Sequence, residues 1–105
     1  MGLTDRLRAA AAARPHLLLL TVPAATAARV AVERAARLRG WPLAATPADA
    51  DVLVTVGPLG TDSSAVADRL SAAMPLPRIR VAVRDAAEAA AVLDQVPGRL
   101  RSAAA

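Results

Sequence analysis

Three observations predict a small three-layer α/β/α sandwich around a short, mostly parallel sheet. Two short runs, Leu17-Leu18-Leu19-Leu20-Thr21-Val22 and Val52-Leu53-Val54-Thr55-Val56, are apolar on both faces, as central strands of a parallel sheet are. Helix-length segments with a 3.6-residue apolar rhythm separate the strands and end at Gly or Pro. The second run opens directly into Gly57-Pro58-Leu59-Gly60 and then a capped helix, a strand-loop-helix unit that the rest of the chain repeats.

Taken in order, Thr4 caps a short helix into Ala9 to Ala13 that Pro15 stops, with Leu3 and Leu7 on one face. Leu17 to Val22 is the first strand. Pro23 and Ala24 turn the chain into a helix from about Ala25 to Arg39, closed by Gly40. Arg29, Glu33 and Arg37 form its polar stripe as an Arg–Glu–Arg ladder, and Ala28, Ala31, Val32, Ala35 and Leu38 form the buried one. Trp41 seals the helix end, and Trp41 to Ala45 is expected to add a short edge strand. After the strand at Val52, Asp62 or Thr61 is expected to cap a helix reaching Ala73, with Val66, Leu70 and Ala73 facing in.

Arg78 to Val83 alternates charged and apolar residues at first, which places it nearer a sheet edge. Asp85-Ala86-Ala87-Glu88 has capping-box spacing and opens a last helix to Val96, which Pro97-Gly98 stops. Four strands with helical crossovers give a four-stranded sheet in the flavodoxin-like order 2-1-3-4, since right-handed connections leave few alternatives. The expected organisation is an N-terminal helix and linker over 1–15, one α/β domain over 16–98, and a frayed tail over 99–105.

Composition bounds the function. The 105 residues suffice for one core, and 55% are hydrophobic although Trp41 is the single aromatic. Much of that fraction is alanine, which buries little area at roughly 25 cal/mol per Å², so modest stability is expected. The net charge is +4, and all 13 basic residues are arginines spread along the chain. Without a dense basic run or aromatics for base stacking, no nucleic-acid partner is expected. No stretch approaches the ~18 apolar residues of a membrane span. Arg14-Pro15-His16 interrupts the only run resembling a signal peptide, so a cytoplasmic protein is expected. The absence of cysteine removes disulfides, thiolate nucleophiles and thiolate metal ligands, and a single histidine rules out an all-histidine zinc site.

In such sheets a ligand sits beyond the carboxyl ends of the strands, at the switch point. Here that crevice is built by Gly57, Gly60, Thr61, Ser63 and Ser64 on one loop, with Thr21 and Thr26 on the other. Two glycines, three hydroxyls and a helix N-terminus could hold an anion or a nucleotide phosphate. Turn and cap chemistry explains the same residues structurally, the lysine of a phosphate-binding loop is missing, and Asp62 adds negative charge. No catalytic set can be assembled, because His16 is the only base for Ser63 or Ser64 and starts a strand on the opposite rim. Asp49 and Asp51 share that wrong rim. No catalytic residue and no metal site are expected.

The stretch Ala50-Asp51-Val52-Leu53-Val54-Thr55-Val56-Gly57-Pro58, a helix, and then Met74-Pro75-Leu76-Pro77-Arg78-Ile79-Arg80-Val81-Ala82-Val83 resembles the 20-kDa subunit family. This family comprises the B subunits of NADH-quinone oxidoreductase (respiratory complex I) and the small subunits of nickel–iron hydrogenases. The resemblance covers about residues 48–83 and implies an α/β scaffold that holds a four-iron cluster beside a redox site. At the places where the family carries its cysteines this chain reads Val22-Pro23-Ala24, Arg84-Asp85-Ala86 and Pro97-Gly98-Arg99. It therefore implies a cluster-free relative with no cofactor, a non-catalytic structural or assembly subunit whose partners are other subunits of a hydrogenase or complex I-like assembly. A fainter resemblance links Thr21 to the phosphorylated cysteine of sugar phosphotransferase B components, without the surrounding glycines. The alternative function is a small anion- or nucleotide-binding module using the Gly57–Ser64 loop.

Overall fold

β1 (Leu17–Thr21), β2 (Val52–Val56) and β3 (Ile79–Val83) pair in parallel in the order β1-β2-β3, in a computed structural model that describes Gly2, Leu3, Asp5, Arg6 and residues 13–104. The register sets Leu19 beside Val54 and Val54 beside Val81. β2 is buried at all five positions, as its apolar run on both faces requires. Of the expected N-terminal helix, Leu3, Asp5 and Arg6 are helical and the Arg6 N–H donates to the Gly2 carbonyl at 3.2 Å. Thr4 and Leu7, on which its cap and apolar face were to rest, lie outside the described residues.

The expected four-stranded sheet in the flavodoxin-like order 2-1-3-4 does not form. Trp41 to Ala45 contributes one parallel bridge, Leu43 to Leu17, on the outer side of β1. It is held by the Leu17 N–H donating to the Pro42 carbonyl at 3.0 Å and the Ala44 N–H donating to the Leu17 carbonyl at 2.7 Å. Pro42 has no N–H to offer a ladder. The chain bends at Ala45 and Thr46 and enters a 3-10 turn, Pro47–Asp49, so a second bridge never follows.

Helices cover both faces. α1 (Thr26–Arg39), α3 (Ala89–Asp94) and α4 (Val96–Ala104) share a core with Leu17, Val52, Val54, Val56, Val81 and Val83. α2 (Thr61–Ala72) covers the other face, where Ala67 and Leu70 meet Leu53, Leu18 and Leu20. The side chains of each strand alternate between the two cores, the period-2 rule of a strand. Although the strands lie in sequence order, α1 and α2 sit on opposite faces. A right-handed crossover that first reaches the outer side of β1, at Leu43, and a second that steps from β2 to β3 place their helices in this way.

The end of α1 is fixed by Gly40, which takes a left-handed φ of 71°. The Gly40 N–H donates to the Arg37 carbonyl and the Trp41 N–H to the Ala36 carbonyl, the paired bonds of a Schellman motif. Trp41 is buried behind this turn with the Arg39 guanidinium 5.8 Å from its ring centre. Arg39 also donates to the Ala35 carbonyl at 2.9 Å and to Asp94 at 2.6 Å, so one side chain ties α1 to α3.

Several details of the helices differ from expectation, among them Ala73, which lies exposed past the end of α2 while Ala67 is the buried residue of that helix. Leu38 is 80% exposed, because the buried seam of α1 runs through Ala28, Val32, Ala35 and Ala36 and ends at Arg39. The polar ladder is realised, among the described residues, as the single pair Arg29–Glu33 at 2.9 Å. Pro97-Gly98 does not stop the chain's helical course: Pro97 lies in the first turn of α4, where its missing N–H costs nothing, and Leu100 is 1% exposed.

Candidate functional site

The carboxyl ends of β1, β2 and β3 form the rim where a ligand is expected, and Gly57 is its central residue. Its φ is +90°, a conformation that side chains rarely adopt. A Cβ built there would lie 2.4 Å from Val22 Cγ2 and 2.7 Å from Ala25 Cβ. The β1–α1 loop is therefore packed directly on the β2–α2 loop. Two backbone bonds lock the arrangement: the Val22 N–H donates to the Val56 carbonyl at 3.0 Å, and the Gly57 N–H donates to the Val83 carbonyl at 2.8 Å.

The remaining loop residues are engaged in starting α2. Gly60 is the N-cap, with extended backbone, so Thr61 and Asp62 occupy the first turn and neither is the cap. Ser63 accepts a hydrogen bond on its Oγ from the Gly60 N–H at 2.8 Å and donates back to the Gly60 carbonyl at 3.3 Å. The Ser64 N–H donates to the Gly60 carbonyl at 2.9 Å as the first helical bond. Asp62 lies in the first turn, where its charge complements the helix dipole. Of the five loop residues, Gly57 and Gly60 thus direct their N–H groups to protein acceptors, and Ser63 directs its hydroxyl to the cap.

The two residues on the facing loop are also placed. Thr21 ends β1 opposite Val56, half-buried. Thr26 is the first residue of α1 and is exposed, after an Ala25 N-cap that offers no side-chain bond. Between them Ala24 takes a left-handed φ of 69°. A non-glycine residue there stores about 1 kcal/mol of backbone strain.

An open cavity does exist on this rim, one strand further along. About 480 Å³ lies between Gly57, Pro58 and Leu59 on one side and Arg80, Ala82 and Arg84 on the other. Its two cations were not among the expected site residues. Their signal was the alternation of β3: Ile79, Val81 and Val83 point to one core, so Arg80 and Ala82 must share the opposite face with α2. Both arginines have carboxylate neighbours. Arg80 binds Asp68 of α2 at 2.7 Å, and Arg84 Nε lies 3.7 Å from Glu88. Glu88 also accepts from the Arg84 backbone N–H, while Asp85 caps the following turn by accepting from the Glu88 N–H.

The opposite rim holds His16 and Asp51, joined by the His16 backbone N–H donating to Asp51 at 2.8 Å, with His16 Nδ1 3.5 Å from the same oxygen. Asp49 accepts a hydrogen bond from Thr46 at 3.0 Å. A strand of five residues spans roughly 17 Å, so His16 cannot serve as base to Ser63 or Ser64 across the sheet. Among the described residues no group of three His, Asp or Glu side chains comes together that could hold a metal ion. No described helix is long and apolar enough to cross a membrane. No family model matches the chain, and no curated protein and no solved structure matches it either.

Proposed function

We propose that this chain is a non-catalytic docking or scaffold subunit of a larger protein assembly. The observation that supports the reading is the packing between the β1–α1 and β2–α2 loops, where Val22 and Ala25 fill the space on the β1 side of Gly57. Small ligands of α/β domains sit between such loops, and the packing of these two against each other favours a structural use of the β1–β2 gap. The resemblance of the Gly57-Pro58 and Pro75-x-Pro77-Arg78 segments adds the class of assembly, a hydrogenase or a complex I-like oxidoreductase. In that setting the chain contributes surface rather than a cluster, since Val22, Ala24, Arg84 and Ala86 stand where thiolates would be needed. Affinity purification of the tagged protein from its native cells tests the reading. Co-purification of redox subunits encoded beside it is expected, and recovery of the chain alone at physiological salt would overturn it.

A second reading, an anion-binding module, is favoured by one observation, the cavity flanked by Arg80 and Arg84. It moves the site away from Ser63 and Ser64 and requires an anion to displace Asp68 and Glu88 from the two guanidinium groups. Thermal melting with inorganic phosphate and with nucleotides decides it. A ligand at 100 times its dissociation constant stabilises by about 2.7 kcal/mol, and an unchanged melting temperature in both rules the reading out.

A further inference from the structure

We propose that the groove between α1 and the Ala86–Ala90 turn receives an acidic amphipathic helix of a partner protein. This deepens the docking reading above and rests on it. Ala27, Val30, Ala31, Arg34 and Leu38 line one wall, at the i, i+3, i+4, i+7 spacing of a single helix face. Val30 is 54% exposed and Leu38 80%, unusual values for large apolar side chains that share one face. The other wall is built of Ala86, Ala87 and Ala90, whose methyl groups leave room for a backbone to approach. The groove measures about 400 Å³. Val30 and Leu38 stand about 12 Å apart along α1, the distance between apolar residues two turns apart on a facing helix.

Charge decides which helix fits. Arg34 lies between the two apolar anchors, and Arg37 is exposed on the next turn; neither is in an ion pair among the described residues. The carboxylates of the same region are already engaged. Glu33 holds Arg29, Asp94 holds Arg39, Glu88 accepts from the Arg84 backbone, and Asp85 caps its own turn. An incoming helix therefore meets an apolar trough with an uncompensated cation at its centre. A second copy of this chain docked about a two-fold axis on this groove would bring Arg34 towards Arg34, a like-charge contact that disfavours self-association.

The probe is a fluorescein-labelled synthetic helix of about 18 residues, with leucines spaced three, four and seven apart and glutamates beside them, tested on the full chain by anisotropy. Its counterpart carries lysine in place of each glutamate. The acidic peptide is expected to bind, to weaken as salt is raised, and to lose at least about tenfold in affinity with Leu38→Gln or Arg34→Glu. Arg34→Glu is expected to bind the lysine peptide in its place. Both positions are exposed, so unchanged melting temperatures confirm that the variants are folded. Equal binding of the two peptides, no binding of either, or an Arg34→Glu variant with unaltered preference would overturn the proposal. So would light scattering that shows a dimer lost in Leu38→Gln, which would make a second copy the occupant. Co-purified subunits alongside a failed peptide experiment would remove the groove assignment alone and leave the docking reading standing.

Discussion

Gly57 packs on Val22 so closely that any side chain at position 57 must displace the β1–α1 loop, a Cβ falling 2.4 Å from Val22 Cγ2. The two loops that could have parted around a ligand thus form one packed layer. This contact joins the backbone of β2 to the start of α1, and the Gly57 N–H extends it to β3 through the Val83 carbonyl. Three strand ends depend on one residue without a side chain.

Gly57→Ala is accordingly expected to destabilise the fold by about 3 kcal/mol, combining a positive φ with overpacking against Val22 and Ala25. Urea denaturation measures it. Val22→Ala in the same background should recover part of the loss, because the two positions share one contact and their effects are not additive. A loss below about 1 kcal/mol would mean that the loops separate easily and that the crevice is available after all.

The strands and the helix end were legible in the sequence because one force dominates each. Val52 to Val56 is buried on both faces, so a continuous apolar run was sufficient to identify it. Gly40 closes α1 because a left-handed turn there favours glycine. The edge strand at Trp41 to Ala45 is reduced to one bridge because Pro42 lacks an N–H and the chain bends at Ala45 and Thr46 into the turn at Pro47, and the apolar residues of the segment alone do not reveal that limit. Leu38 points outward because the buried seam of α1 ends at a charged residue: Arg39 takes the position below Ala35 and buries its stem there while its head reaches Asp94. Pro97-Gly98 carries the signal of a helix stop, yet Leu93, Val96 and Leu100 continue one buried stripe straight through it. The use of the loop residues is not legible in the sequence for a similar reason. Glycines and hydroxyls serve helix caps and phosphate sites alike, and only the partners of Gly60 and Ser63 tell the two apart.

Leu100→Ala separates a docked C-terminal helix from a loose tail. Leu100 is fully buried among Val96, Leu93 and the sheet, so truncation leaves a cavity and is expected to cost about 2–4 kcal/mol. In a domain of this size each kcal/mol lowers the melting temperature by roughly 4–8 °C, so the effect is readily read by thermal denaturation. An unchanged melting temperature would show that 99–104 does not contribute to the core.

Two backbone positions should respond in opposite directions. Ala24 and Gly40 share the left-handed region, with φ of 69° and 71°. Ala24→Gly removes strain and is expected to stabilise by about 0.5 kcal/mol, the relief being partly offset by glycine's greater freedom in the unfolded chain. Gly40→Ala is expected to destabilise by about 1 kcal/mol. Chemical denaturation of both variants checks the pair, and shifts of the same sign would contradict it.

Arg39 and Asp94 form an asymmetric pair, and their variants should show it. Asp94 is largely exposed and gives Arg39 one contact, so Asp94→Ala is expected to cost no more than about 0.5 kcal/mol. Arg39→Ala also removes the bond to the Ala35 carbonyl, the stacking over Trp41 and the apolar stem that covers the end of α1, and about 1–2 kcal/mol is expected. Trp41 provides the readout, since it is the only tryptophan and its fluorescence reports the loss of the guanidinium above the ring. Equal effects of the two substitutions would mean that the ion pair alone carries the contact.

Ser63→Ala distinguishes a cap from a ligand site most directly. The Ser63 hydroxyl accepts from the Gly60 N–H and thereby starts α2, so its removal is expected to cost about 0.5–1 kcal/mol. If the hydroxyl served an anion, the variant would be barely destabilised in plain buffer but would lose stabilisation by phosphate. The expected result is the reverse: lower stability in plain buffer, and the same response to phosphate as the unaltered chain. Because Gly60 and Ser63 satisfy each other, an anion entering the loop would have to break their bond, and the helix start would be weakened by the very ligand it held.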